Sequence, residues 1–126
     1  MKAVLRTLHS PDLCDLRNGA PRDPEDFRIL VQAMVGTDRD QESEESFDFL
    51  VCTPKWLARN IGLAQHLWGR HYLIVYQYDY TLIRQAIQEI CDAATGPDWQ
   101  TLAGFMARYG AWEFEDYSMP KAPGQG

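Results

Sequence analysis

The sequence predicts a single α+β domain: a mostly antiparallel sheet of about four to five strands with about three helices packed on it. Segments of alternating hydrophobicity precede residue 53 and indicate strands, whereas helical periodicity dominates 80–109. The chain has 126 residues, 45% of them hydrophobic, which is enough for one core. We expect the domain to span 1–117 and a flexible tail to follow at 118–126.

Two strands are expected near the N-terminus. Residues 2–8 alternate in hydrophobicity and predict the first strand, which is followed by a loop rich in Pro and Asp at 10–24. Residues 26–36 also alternate, contain β-branched side chains and predict the second strand. A short helix that begins at Asp23 and Pro24 is the alternative, because Pro is favoured at the first helical position.

An acidic segment at 37–45 follows the second strand. It carries five acids and one Arg and no apolar residue, so it must face water. We expect it to form a hairpin loop that leads into a third strand at 46–53. A charge run of this kind is typical of a solvated loop. The sharper interpretation is a surface that steers a basic protein.

The first helix is expected to begin at Thr53 and Pro54. Thr can accept a hydrogen bond from an unpaired amide, and Pro lacks only an N–H that would be unpaired anyway. Apolar residues continue at helical spacing to Trp68, and Gly69 is expected to end the helix. Residues 71–78 are almost continuously apolar and predict a central strand.

The C-terminal part predicts two helices and a short strand. Asp79 is expected to cap a helix at 80–93, and Asp98 to cap another that ends before Gly110. Residues 111–117 alternate aromatic and acidic side chains and predict a last strand with one acidic face. The order of elements is then β-β-β-α-β-α-α-β.

Charge and hydropathy exclude several classes of function. The formal net charge is −6, from 18 acids against 12 bases without a basic cluster, which argues against nucleic acid as a ligand. The acidic balance favours a basic partner or simple solubility. No apolar run reaches the roughly 18–20 residues of a membrane span, and no signal peptide is visible, so we expect a cytoplasmic protein without membrane contact.

No spacing of residues indicates a catalytic, cofactor or metal site. The three histidines match no metal motif, the three cysteines form no C-x-x-C, and no Gly-rich phosphate loop occurs. The best enzymatic feature is Cys52, at the end of a strand before a helix N-terminus that could lower its pKa, with His71 or His9 as base. This alternative is a small cysteine-dependent hydrolase. The plainer interpretation is a buried thiol.

Acidic residues are the candidates for contact with a partner. Glu113 and Glu115 would point to the same side if their segment is a strand, among aromatic residues that could anchor an interface. The plainer interpretation is an edge strand whose charges prevent pairing with other chains. The expected partner-binding residues are Asp38, Asp40, Glu42, Glu44, Glu45, Glu113, Glu115 and Asp116. A subunit that self-associates through the aromatic C-terminal strand is a further alternative, although we favour a monomer.

Five stretches of the sequence resemble one known family. They are SPDL at 10–13, EESFDFLVCTPKWL at 44–57, GRHYLIVYQYD at 69–79, DWQTLAGFMARYG at 98–110 and WEFEDY at 112–117. Together they resemble the immunity protein 8 family of bacterial polymorphic toxin systems, from Leu5 to Tyr117. The most specific parts are VCTPKWL and RYGAWEFEDY.

The resemblance implies a small cytoplasmic α+β protein that protects its producer. Such a protein would bind and block a cognate toxin domain, often one encoded nearby, and no catalytic residues come with the family pattern. Because immunity proteins often bind through variable surfaces, the motifs would mark the scaffold, with Trp56 and Trp112 in the core and 37–45 as the contact. Many antibacterial toxins attack nucleic acid and are basic, so an acidic inhibitor would gain association rate against a basic nuclease.

Overall fold

The computed structural model of the protein describes residues 1–115. Residues 116 and 117 of the expected last strand, and the expected tail at 118–126, lie outside the described residues. The elements occur in the predicted order. They are β1 (Ala3–His9), β2 (Arg28–Thr37), β3 (Asp40–Cys52), α1 (Pro54–Ile61), a 3₁₀ helix (Gly62–Ala64), β4 (Tyr72–Ile74), α2 (Tyr80–Ala93), α3 (Trp99–Met106) and β5 (Ala111–Trp112).

The strands form one five-stranded sheet of order β1-β2-β3-β4, in which β5 also pairs with β3. Strands β1 to β3 form an antiparallel meander, and β5 is antiparallel to β3. Strand β4 runs parallel to β3. Since β2 occupies one edge of β3, β4 and β5 share the other. The predicted α+β fold with a mostly antiparallel sheet is therefore confirmed, and the single parallel pair makes the sheet mixed.

The core lies between one face of the sheet and the helices α2 and α3. Apolar residues at alternate positions of β2 and β3 are buried there, together with one face of each helix. The largest fully buried side chains include Phe47, Phe49, Ile83, Ile87, Leu102 and Met106. Burial of each such side chain stabilises the fold by about 1.5–3 kcal/mol relative to exposure.

The three predicted helix N-caps are present. Thr53 Oγ1 accepts a hydrogen bond from the N–H of Trp56, and Asp79 and Asp98 accept from the N–H groups three residues further on. The predicted strand at 26–36 is confirmed over the helical alternative, with bounds shifted to Arg28–Thr37.

The acidic segment 37–45 forms a hairpin, as predicted, but most of it is not a loop. Only Asp38 and Arg39 make the turn, and β3 begins at Asp40. Residues 40–45 carry no strand pattern because this end of the hairpin extends past the core. Both sides of β3 are polar from Asp40 to Glu44, and these residues are exposed. Without a buried side, a strand shows no alternation of hydrophobicity.

The first helix ends earlier than predicted. It stops at Ile61, and Gly62 takes a φ of +34°. A positive φ is accessible to glycine and ends a helix. None of the residues of α1 is fully buried, so packing does not hold a longer helix in place. Trp68, expected on the apolar side of that helix, is instead 87% exposed.

Two predicted strands are much shorter in the structure. The expected central strand at 71–78 pairs only over Tyr72–Ile74 and lies at the edge of the sheet. The expected strand at 111–117 pairs only over Ala111–Trp112, because the N–H of Glu115 donates to the carbonyl of Trp112 at 2.9 Å and closes a turn. The aromatic and apolar content of these two segments predicts longer strands. Both segments pair with the same edge of β3, so each can pair with only part of it.

Candidate functional site

The acidic end of the hairpin is held in place by Arg6. Its guanidinium donates to the backbone carbonyls of Thr37, at 3.2 Å, and Asp40, at 2.5 Å. It crosses β2 at Gly36, where a Cβ would lie 2.4 Å from Arg6 Nε and 2.6 Å from the carbonyl oxygen of Ser43. Glycine is therefore required at this position, since any side chain would separate the strands or displace the Arg6 brace.

Asp38 and Asp40 use their carboxylates to build the turn. Asp38 Oδ1 accepts a hydrogen bond from the N–H of Lys2 at 2.9 Å, and this bond lowers the pKa of Asp38. Asp40 Oδ1 accepts from the N–H of Glu42 at 2.9 Å. The hydroxyl of Ser43, followed by the N–H groups of Glu42 and Ser43, lowers the pKa of Asp40. Both groups are charged at neutral pH.

Glu42 and Glu44 present charge outward. Both are exposed, and within residues 1–115 their carboxylates make no hydrogen bond or ion pair. Since nothing in the described part of the chain neutralises them, they are available to a cationic partner. They lie in the strand segment beside the turn that Asp38 and Asp40 build.

Strand β5 brings part of the C-terminal acidic segment to the same end of the sheet. The indole N–H of Trp112 donates to Glu45 Oε1 at 2.7 Å. Glu113 Oε1 accepts from the N–H of Ser46 at 2.8 Å, and the N–H of Glu113 donates to the carbonyl of Ser46 at 3.1 Å. Glu45 and Glu113 therefore flank Trp112, and the two predicted acidic segments meet here. We call Asp38, Asp40, Glu42, Glu44, Glu45 and Glu113 the acidic hairpin surface.

Glu115 lies elsewhere. The turn after Trp112 directs it to Arg70, with which it forms an ion pair, and its Oε2 is 3.6 Å from His71 Nε2. Since 113–115 form a turn and not a strand, the condition for Glu113 and Glu115 to share a side is not met. Asp116 lies outside the described residues.

The two tryptophans expected in the core differ. Trp112 is half-buried, packs against the core and stacks on Phe47, with ring centroids 6.4 Å apart. Trp56 is also half-buried but packs under the guanidinium of Arg28, which lies 5.2 Å from its ring centroid. Trp112 is thus a scaffold residue beside the acidic hairpin surface, whereas Trp56 lies outside the core cluster.

A comparison with protein-family models finds a match to Immunity protein 8 over residues 3–117. This chain belongs to the immunity protein 8 family. Neither the comparison with curated proteins nor the comparison with solved structures finds a match. The family implies a toxin as partner and suggests inhibition without catalysis.

The cysteine chemistry considered as an alternative finds no support in this immunity protein 8 family member. Cys52 is fully buried, and burial raises the pKa of its thiol, against the expected lowering by the helix N-terminus. The ring of His71 bonds to the carbonyl of Ala107, and that of His9 to Gln32. Neither ring is in contact with Cys52 in the described part of the chain.

Metal sites and membrane-spanning helices are absent from the described part of the chain. Among residues 1–115, no group of three or more His, Cys, Asp or Glu side chains is arranged to hold a metal ion. No helix in that range is long and apolar enough to cross a membrane.

The sequence analysis does not identify the role of Arg6, which lies within the first predicted strand. The available signal was Gly36. A glycine inside a strand commonly marks a bulge or a close approach, and here it marks the crossing of the Arg6 side chain. The sequence pattern placed Gly36 at the end of the strand, whereas β2 continues through it to Thr37.

Proposed function

We propose that this protein binds a cognate bacterial toxin domain and blocks it without catalysis, in the cytoplasm of the cell that produces both. The observation that carries the proposal is the family match over residues 3–117, which covers nearly the whole chain. The partner is a toxin domain of a polymorphic toxin system, bound by one copy of the protein. The buried, raised-pKa thiol of Cys52 supports inhibition by contact over inhibition by chemistry.

We further propose the acidic hairpin surface as a contact with the toxin. Hydrogen bonds of Arg6, Asp38 and Asp40 hold its turn, while the carboxylates of Glu42 and Glu44 are exposed and unpaired in the described chain. Uncompensated charge at one end of a molecule attracts an oppositely charged partner from a distance and raises its association rate. A basic nuclease, whose active site attracts phosphates, is the toxin class this surface fits best.

Co-expression tests the proposed function. The C-terminal domain of a toxin-like open reading frame beside this gene is expressed alone and together with this protein. We expect the toxin domain to stop growth alone, and this protein to restore growth and co-purify with the toxin domain at a 1:1 ratio.

Two results would contradict the proposal. Growth arrest that persists although both proteins are soluble and expressed would exclude neutralisation of that toxin. Rescue of growth by turnover of the toxin, without a stable complex, would exclude inhibition by contact. A variant with Glu89→Lys, an exposed residue of α2 outside the acidic hairpin surface, serves as the control that should rescue fully.

A further inference from the structure

A cavity of about 210 Å³ is lined by β4, α2 and the segment that follows α3. Much of its wall is apolar and consists of Phe49, Leu73, Ala86, Ile87 and Ile90. For comparison, a cavity of about 150 Å³ in a protein interior holds one benzene ring. This cavity is therefore large enough for an apolar group the size of one aromatic ring, with room for a small polar group attached to it.

The charged side chains that line the cavity are both cationic. They are Arg70 and Arg108, and none of the described residues that line it is Asp or Glu. Glu115, which does not line the cavity, pairs with Arg70. Arg108 pairs with no carboxylate within residues 1–115, and its guanidinium lies 5.7 Å from the ring centroid of Phe105. Arg108 is thus an uncompensated cation in a protein whose formal net charge is −6. We call this cavity the cationic pocket.

The backbone that carries the two arginines is held by His71. This residue has a φ of +67°, a left-handed conformation that a non-glycine residue keeps only where its surroundings impose it. Its carbonyl accepts a hydrogen bond from the N–H of Leu50 at 2.9 Å, and its ring bonds to the carbonyl of Ala107 at 3.1 Å. These bonds tie the residue after Arg70 to the residue before Arg108. The pocket is therefore formed before a ligand enters, which lowers the entropic cost of binding.

Two tyrosines add neutral hydrogen-bond donors to the lining. Tyr72 and Tyr109 line the cationic pocket, and neither phenol O–H makes a hydrogen bond in the described part of the chain. The N–H of Tyr72 donates to the carbonyl of Gly69 at 3.2 Å, which closes the loop that carries Trp68. Apolar walls with a few polar groups are the usual composition of a site for a small molecule.

We propose that the cationic pocket binds a carboxylic acid whose apolar body is about the size of one aromatic ring. The carboxylate contacts Arg108, because a planar guanidinium matches the two oxygens of a carboxylate, and the apolar body lies against Leu73 and Ile87. A cationic ligand would be repelled by Arg108, and inorganic phosphate would leave the apolar wall uncovered. A free acid and the C-terminal Phe of a peptide both present the required chemistry. This inference goes beyond the proposed function and does not depend on the toxin.

Isothermal titration calorimetry of the purified protein tests the proposal, with 3-phenylpropionate as the probe. We expect a Kd of about 1 mM or lower, which is within reach of a ligand of this size. The uncharged 3-phenylpropionamide has the same shape and is expected to bind about tenfold more weakly or worse, because it lacks the charge-assisted hydrogen bond to Arg108. Inorganic phosphate is expected to bind more weakly than 3-phenylpropionate. Shifts of the amide resonances of Leu73 and Tyr109 locate the bound probe.

The two sources of the carboxylate are distinguished by a second probe. N-acetylphenylalanine has the carboxylate and the aromatic ring of a peptide that ends in Phe. Tighter binding of this compound than of 3-phenylpropionate would support the proposal and assign the pocket to a peptide terminus. Tighter binding of 3-phenylpropionate would support it and assign the pocket to a free acid.

Three variants test the residues. Arg108→Gln should lower the affinity for 3-phenylpropionate by about tenfold and leave the affinity for the amide unchanged. Arg22→Gln is the matched control, because Arg22 is an exposed arginine that does not line the pocket and its removal changes the net charge equally. It should leave both affinities unchanged. Ala86→Leu fills the pocket from α2 and should abolish the binding of both compounds.

The contrary outcomes are equally specific. Equal affinities for 3-phenylpropionate and its amide would overturn the role of the charge, and phosphate bound as tightly as 3-phenylpropionate would overturn the role of the apolar wall. Binding that neither Arg108→Gln nor Ala86→Leu weakens would place the acid elsewhere on the protein. No binding of either acid would overturn the proposal as a whole. The proposed function stands or fails separately, by co-expression with the toxin domain.

Discussion

The acidic hairpin surface and the loop that carries Trp68 are both exposed, yet they are constructed in opposite ways. At the hairpin, side chains hold the backbone in place: Arg6 crosses Gly36, and Asp38 and Asp40 accept hydrogen bonds from backbone N–H groups. In the loop of Trp68, the backbone and its neighbours make the bonds, and the large side chain is left free. Geometry at the hairpin therefore depends mainly on particular side chains, whereas that of the Trp68 loop depends mainly on backbone hydrogen bonds.

Substitution of one glycine in each region gives the sharpest test of this difference. Gly36→Ala should lower the free energy of unfolding by about 1–3 kcal/mol, because its Cβ would meet the carbonyl of Ser43 and the Arg6 guanidinium. Gly69→Ala should change it by less than about 0.5 kcal/mol, because no atom lies within 4 Å of a Cβ there. Denaturant unfolding of both variants measures the two values. Equal costs would show that the two regions do not differ in this way.

Charge reversal at the hairpin should affect the association rate with the toxin domain and not the dissociation rate. The double variant Glu42→Lys, Glu44→Lys should lower the association rate with the toxin domain by about tenfold at low salt and leave the dissociation rate nearly unchanged. The effect should shrink at high salt, where the Debye length falls to about 3 Å. Glu89→Lys, an exposed position of α2 outside the acidic hairpin surface, is the control. If the variant binds more weakly only because its dissociation rate rises, these carboxylates contact the toxin directly and do not act as steering charges.

The turn of the hairpin should also respond to pH. The pKa of Asp40 is lowered in the folded state, so its charge stabilises the fold above the ordinary Asp pKa of about 3.9. That stabilisation is lost as the pH falls through the lowered folded pKa. Asp40→Asn keeps an acceptor oxygen but cannot ionise, and should flatten the fall in unfolding free energy below about pH 4. An unchanged pH profile would show that Asp40 contributes nothing to the acid response.

The smallest expected effect concerns Cys52. If the protein acts only by contact, Cys52 should not react with iodoacetamide in the folded protein. Burial raises the pKa of Cys52, and that of Cys91 to about 12, whereas Cys14 is exposed. Mass spectrometry should find one label, on Cys14. Fast labelling at Cys52 would return the hydrolase alternative to consideration.

The fold was largely predictable because local signals agreed with the tertiary structure. Thr53, Asp79 and Asp98 are caps by residue type and position, and α2 has a regular apolar stripe that reaches the core. The same reasoning failed for the helix expected to reach Gly69. The positive φ at Gly62 is a local feature of the backbone. Whether the apolar residues after it are buried or exposed depends on the tertiary structure around them.

The candidate site was predictable in part, for the same reason. Acid content alone identified the residues at the hairpin end. The meeting of Glu45 and Glu113 at Trp112 depends on the pairing of β5 with β3, and the sequence contains no information on that choice of partner. Helical spacing predicts Trp68 on an apolar helix side, whereas the side chain is exposed, because periodicity does not show which apolar side chains the rest of the chain covers.

The salt dependence of wild-type binding tests the central claim most directly. Association and dissociation rates with the inactive toxin domain are measured at low and at high salt on the same surface. Our account predicts a 1:1 complex whose association rate falls by about tenfold or more as salt rises, while the dissociation rate stays nearly constant. No complex at either salt concentration, or an association rate that does not change with salt, would contradict it.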